Sequence, residues 1–179
     1  MTSPTIEERK RHLRVLRRSL AARRGMVQLG GFVKPVALGR SGIAARKREG
    51  DGATPLGTWR AMAVFYRADR VARPVSGLPV RAIRRNDGWC DAPGDRNYNR
   101  AVRLPYPASA EAMWRDDHLY DLVVVLDHNS RPRVRGAGSA IFMHCARDGF
   151  APTAGCIAFR AADLRRLLRH MRRGTRVVV

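Results

Sequence analysis

Long apolar runs, paired cysteines and lysine are scarce in this chain of 179 residues, and each scarcity excludes something. No apolar run approaches the roughly 18 residues that a membrane-spanning helix needs, and the N-terminus lacks the apolar stretch of a secretory leader. The sequence therefore reads as soluble and unexported. The three cysteines, Cys90, Cys145 and Cys156, are odd in number and show no C-x-x-C spacing. A disulfide framework and a zinc ribbon are both disfavoured, and at least one thiol is free. His118, His128, His144, Cys145 and Cys156 are ligand types without ligand spacing, since H-E-x-x-H and H-x-E with P-C-x-x-C are missing; no metal and no other cofactor is expected. Neither G-x-x-x-x-G-K-[ST] nor G-x-G-x-x-G occurs, which removes the common phosphate-cradling loops.

Acidic residues are also few, 15 against 35 basic ones, giving a net charge of +20. The basic residues are almost all arginine, since only Lys10, Lys34 and Lys47 are lysines. Such charge suits an anionic cell-wall polymer, a membrane face or nucleic acid, and arginine enrichment also follows from codon bias. RNA-reading signatures with interleaved aromatics are not seen, so no specific nucleic-acid partner is expected. The length fits one domain, and 45% hydrophobic content is enough for a packed core. A monomer is the expected state.

Residues 1–24 read as a basic N-terminal extension, either an amphipathic helix with Leu13, Leu16 and Leu20 at helical spacing or a disordered arm. Residues 25–179 read as one folded domain. After Gly25 the texture changes to short apolar runs broken by Gly, Pro, Asn and Asp, the pattern of strands and turns. Gly39 to Trp59 reads as an ordered excursion between strands, and Asn86 to Tyr106 as a loop too rich in turn formers for regular structure, with the composition of a cleft lining. Ser109 to Arg115 suggests a helical turn. Leu122 to Asp127 is too continuously β-branched for a half-exposed strand and belongs at the centre of a sheet, with Ser139 to Ala146 as its partner. Ala161 to Arg173 predicts a helix ending at Gly174, and Thr175 to Val179 a closing strand.

The chemistry concentrates in Ile141 to Phe159, IFMHCARDGFAPTAGCIAF, where His144 ends an apolar run and Cys156 follows twelve residues later in a Thr-Ala-Gly-Cys turn. If 139–146 is a strand, Ile141, Met143 and Cys145 face one way and Ala140, Phe142 and His144 the other. Cys145 is then a core residue, and the turn through Gly149 and Pro152 brings Cys156 back beside His144. A thiol, an imidazole base and the N–H groups of Gly155 and Cys156 would form a nucleophile, its base and an oxyanion cradle. The arginine-rich surroundings are expected to depress the thiol pKa. The competing reading is a buried structural cysteine beside a core histidine.

These residues resemble the L,D-transpeptidase family, also called the YkuD-type catalytic domain. Its signature is a histidine followed, after a variable loop, by [ST]-H-G-C, an apolar residue and Asn or Arg; here His144 is followed by Thr153, Ala154, Gly155, Cys156, Ile157 and Ala158. REGDGATPLGTW at Arg48 to Trp59 and LYDLVVVLDHN at Leu119 to Asn129 extend the similarity over most of Val27 to Val179. The resemblance implies a mainly β fold, a mixed β-sandwich with one or two peripheral helices. It also implies acyl transfer on diaminopimelate-containing peptidoglycan stem peptides in the periplasm or cell envelope, a location at odds with the missing export signal, with Cys156 as nucleophile and His144 as base. Two positions depart from the signature, Ala154 and Ala158. The second removes a polar group from the pocket, and Trp89, Tyr98, Asn99, Arg103 and Arg160 are the candidates to replace it in substrate binding. The Thr-x-Gly-Cys-Ile-Ala variant resembles a subgroup associated with cross-links from L-Ala at position one to diaminopimelate at position three. Hydrolysis of the same thioester, as an L,D-carboxypeptidase or endopeptidase, is the alternative. A basic module binding nucleic acid or wall polymer is the third reading.

Overall fold

The computed structural model describes residues 12–179. Its central strand is Leu122–Leu126, paired along both edges and buried on both faces. In chain order the strands are β1 (His12–Leu16), β2 (Arg24–Leu29), β3 (Phe32–Ala37), β4 (Ile43–Ala44), β5 (Thr54–Pro55), β6 (Thr58–Tyr66) and β7 (Val80–Ala82). They continue as β8 (Asp87–Cys90), β9 (Arg100–Arg103), β10 (Ala110–Ala112), β11 (Leu122–Leu126), β12 (Phe142–Cys145), β13 (Ile157–Phe159) and β14 (Arg176–Val178), with helix α1 (Ala161–Leu168) between the last two. The fold is mainly β, 38% strand and 7% helical.

The main sheet runs β11-β12-β13-β3-β2-β1-β14-β6-β7, and the antiparallel β6–β11 pairing joins it back on itself. It is mixed, since β1 with β14, β12 with β13 and β6 with β7 are parallel pairs. Closure removes most free sheet edges. The inward residues, among them Leu13, Val27, Val36, Val64, Val124 and Ile157, form one apolar cluster, and α1 lays Leu164, Leu167 and Leu168 into it. A second cluster lies on the outer face of β6, β11 and β12, where Phe65, Val123, Val125 and Phe142 are covered by Ile83, Met113 and Tyr120. The β10-β8-β9 sheet contributes Trp89 to this covering layer. β11 therefore alternates between two cores: Leu122, Val124 and Leu126 face inward, Val123 and Val125 outward. That is why its sequence is unbroken by polar residues.

Three expectations are corrected. Where the N-terminal segment is described, His12–Leu16 is a strand of the main sheet and not a helix or a disordered arm, so the folded unit begins before residue 25. Leu13 and Val15 are buried while Arg14 and Leu16 are exposed, a period of two hidden within the helical spacing of the leucines. Partners on both edges, β2 and β14, outweigh a local preference for helix. Residues 5–11 of the expected helix lie outside the described residues. Ser109–Arg115 is not a helical turn, because Ala110–Ala112 pairs with β8. The supposedly irregular Asn86–Tyr106 contains the β8–β9 antiparallel pair; two of its turn formers, Asp87 and Gly88, lie within β8 and pair with Arg103 and Val102.

Candidate active site

Alternation along β12 sorts its residues as expected: Ile141, Met143 and Cys145 enter the inner cluster, and Phe142 the outer one. Cys145 is a packing residue, its thiol pushed up to about 11 by burial. In the parallel register of β12 with β13, Met143 pairs with Ile157 and His144 with Ala158. Cys156, one residue before Ile157, thus falls opposite Phe142, on the outward face with His144. For neighbouring strands such a two-residue diagonal separates Cα atoms by roughly 8 Å, within reach of two converging side chains.

The turn that delivers Cys156 is held by Thr153. Its hydroxyl donates to the Cys156 carbonyl at 2.7 Å and accepts the Gly155 N–H at 3.1 Å. Its main chain bonds Leu38 and Arg40 at 2.9 and 2.8 Å, which ties the turn to the end of β3. Gly155 has φ +142, and a Cβ there would stand 2.9 Å from the Ala53 carbonyl oxygen, so this position requires glycine.

Cys156 and His144 are 8% and 5% exposed, and both line a cleft of about 510 Å³. The Phe142 N–H donates to the sulfur at 3.3 Å, and the thiol donates to the Ala140 carbonyl at 3.2 Å. His144 Nδ1 lies 2.8 Å from the Cys145 carbonyl oxygen. A carbonyl only accepts, so Nδ1 carries the proton and Nε2 keeps the lone pair. Tyr120 packs its ring edge against the imidazole, centroids 5.4 Å apart, and donates its hydroxyl to Glu111 at 2.6 Å. Arg115 completes this wall, 3.3 Å from the same Glu111 oxygen and over the Tyr120 ring.

Electrostatics overturn one expectation. The thiol is pushed up to about 12, first by burial and then by the Glu111 carboxylate, against the smaller opposing pull of the Phe142 N–H, Lys47 and Arg115. The surrounding positive charge does not depress it, because removing a thiolate from water costs more than partly screened cations return. Burial likewise holds His144 down to about 4. The pair is a neutral thiol beside a neutral imidazole, unlike the ion pair of a low-pKa cysteine enzyme.

None of the five substrate-binding candidates lines this cleft. Asn99 is buried under it: its Oδ1 accepts from Trp89 Nε1 at 2.9 Å and from the Ala140 N–H at 3.1 Å. Trp89 and Asn99 line a separate cavity instead, and Arg103 a third beside Asp87. Tyr98 is fully buried and donates to Glu49, which does line the cleft, at 2.5 Å. Arg160 is exposed at the start of α1. The residues that sequence reasoning missed are Glu111, Arg115 and Tyr120; the four-residue spacing of Glu111 and Arg115 reads locally as a surface helix pair, and nothing local links it to His144. Among the described residues no group of three or more His, Cys, Asp or Glu side chains is placed to hold a metal ion.

A model of the L,D-transpeptidase catalytic domain, YkuD, matches residues 15–179. No curated protein and no solved structure gave a match. The matched span begins within β1, at Val15, runs to Val179, and takes in β2 to β14, α1 and the cleft. By that extent the chain belongs to the L,D-transpeptidase (YkuD) catalytic-domain family, whose members act on peptidoglycan stem peptides.

Proposed function

We propose that the protein is a peptidoglycan L,D-transpeptidase acting in the cell envelope, with Cys156 as nucleophile and His144 as general base. One observation carries the assignment: the His144 tautomer fixed by the Cys145 carbonyl leaves Nε2 unprotonated in the cleft that holds the thiol. The thiol gives its proton to Nε2 as sulfur attacks a carbonyl of the donor stem; the imidazolium returns that proton to the departing amine, leaving a thioester. The side-chain amine of diaminopimelate on a second stem then attacks, gives a proton to Nε2, and the thiol is regenerated. The Cys156 N–H is the first donor to the oxyanion. Gly155 joins it once its N–H is released from Thr153 Oγ1, which holds it in this structure.

The donor bond is assigned as L-Ala to D-Glu, giving cross-links from position one to position three. Ala158 supports this reading: it pairs with His144 in register and lines the cleft, so the space that a polar Asn or Arg would fill beside the imidazole is open. Arg40 and Arg147, also in the cleft, suit the carboxylates of a stem peptide. The deciding experiment incubates the protein with defined muropeptides and weighs the products. Dimers of the one-to-three type are expected, and none with Cys156→Ala. Shortened monomers alone mean hydrolysis of the thioester, and unchanged activity in Cys156→Ala rejects the mechanism.

A further inference from the structure

A second cavity, of about 630 Å³, shares no lining residue with the reaction cleft. Arg60, Arg100, Arg131 and Arg133 line it against one carboxylate, Asp127. That carboxylate is already engaged, its Oδ1 accepting the Arg60 main-chain N–H at 2.6 Å. Arg67, Arg70, Arg81 and Arg115, by contrast, each have an aspartate within 3.1 Å. Among the described residues none of the four cavity arginines forms an ion pair. Arg133 Nε is buried without any hydrogen-bond partner, a donor whose desolvation nothing in the protein offsets. Burial and the charges of Arg100 and Arg131 also pull the Arg133 pKa below its ordinary value.

Gathering unpaired guanidiniums around a concave surface costs Coulomb energy that an anionic ligand would recover. We infer that this cavity binds a phosphate-bearing ligand carrying at least two negative charges, held by the guanidinium groups of Arg60, Arg100, Arg131 and Arg133. A lone carboxylate would leave most of the positive charge unmatched, whereas a phosphomonoester or diphosphate meets several planar donor forks at once. Trp89 and Met62, the latter 51% exposed, supply an apolar wall for the rest of such a ligand. The site does not depend on the transpeptidase reading.

The test is titration of the whole chain with inorganic pyrophosphate, and separately with phosphatidylcholine vesicles containing phosphatidic acid, which presents a lipid phosphomonoester. The double variant Arg100→Gln/Arg133→Gln is compared with Arg169→Gln/Arg173→Gln, which removes the same charge from exposed positions elsewhere. Binding of pyrophosphate, vesicles or both should weaken at least roughly tenfold in the first variant and stay within about twofold in the second. The probe that responds identifies the source as a soluble phosphate or a lipid headgroup. Equal losses in the two variants, or no binding of either probe, overturns the site. Arg131→Gln, at an exposed side chain, replaces the double variant if that one unfolds. Cys156→Ala should bind like the unsubstituted protein.

Discussion

The main-chain N–H of Phe142 donates to the sulfur of Cys156 from 3.3 Å, while the sulfur's own proton is given to Ala140 one turn of the pleat away, at 3.2 Å. The thiol is thus held between a donor at the start of β12, the strand that carries His144, and an acceptor just before that strand. One bond favours the thiolate and the other the thiol, and burial settles the balance toward the thiol. The proposed reaction would therefore start from a neutral pair, with proton transfer accompanying sulfur attack.

Alkylation of Cys156 tests this directly. With the thiol near 12, the thiolate fraction at pH 7 is on the order of 10⁻⁵, so labelling by iodoacetamide should be slow and rise about tenfold per pH unit up to strongly alkaline solution. Glu111→Gln removes a carboxylate that raises the thiol pKa, and labelling at pH 8 should become several-fold faster. Mass spectrometry of the Cys156 peptide gives the rates. A plateau near neutrality would reveal an ion pair and contradict the neutral assignment.

Acid stability should carry the signature of His144. Its pKa in the folded protein is about 4, below the 6.5 of the free side chain, so between those values the unfolded chain binds a proton that the folded one refuses. Stability is therefore unaffected by this group above pH 6.5 and falls by about 1.4 kcal/mol per unit as pH drops toward 4, some 3 kcal/mol in all. Urea denaturation at a series of pH values measures the slope. His144→Phe should flatten that acid limb.

Asn99→Ala should destabilise the protein although Asn99 touches no reacting group. The side chain bonds Trp89 Nε1, the Ala140 N–H and the carbonyls of His128 and Asn129, from a left-handed φ of 55° that alanine adopts poorly. A loss of about 3 kcal/mol is expected from four buried or part-buried bonds and the backbone cost. Because Ala140 carries the acceptor for the Cys156 thiol, the rate should also drop, which single-turnover acylation would register.

Two glycines of the same connection should respond differently. Gly155→Ala drives a Cβ into the Ala53 carbonyl at 2.9 Å and should abolish activity through displacement of the Cys156 turn. Gly149 also has a positive φ, +66, but nothing lies within 4 Å of its Cβ position. Gly149→Ala should cost about 1 kcal/mol and leave turnover near normal. Thermal denaturation with a product assay separates the two effects.

Local pattern made much of this architecture legible. The β-branched run at Leu122–Leu126 announced a strand covered on both faces, and α1 followed from Leu164, Leu167 and Leu168, although it ends at Leu168, short of the expected Arg173. Side-chain alternation along β12 correctly separated Cys145 from His144. Elsewhere local pattern misled, because pairing partners lie far away in sequence: β1 needs Arg176–Val178 at the other end of the chain, and Ala110–Ala112 needs β8.

Short-range order in residue type carried the family and the strand-rich texture, and it pointed to His144 and Cys156, which line one cleft. Only the tertiary structure settled the protonation of those two groups, since that depends on burial and on the Glu111 charge, which distant segments bring to them. It also decided which polar residues reach the cleft. Trp89 and Asn99 turn away from it to brace Ala140, while Glu111, Arg115 and Tyr120 form its wall, because the covering layer is placed by long-range strand pairing and packing.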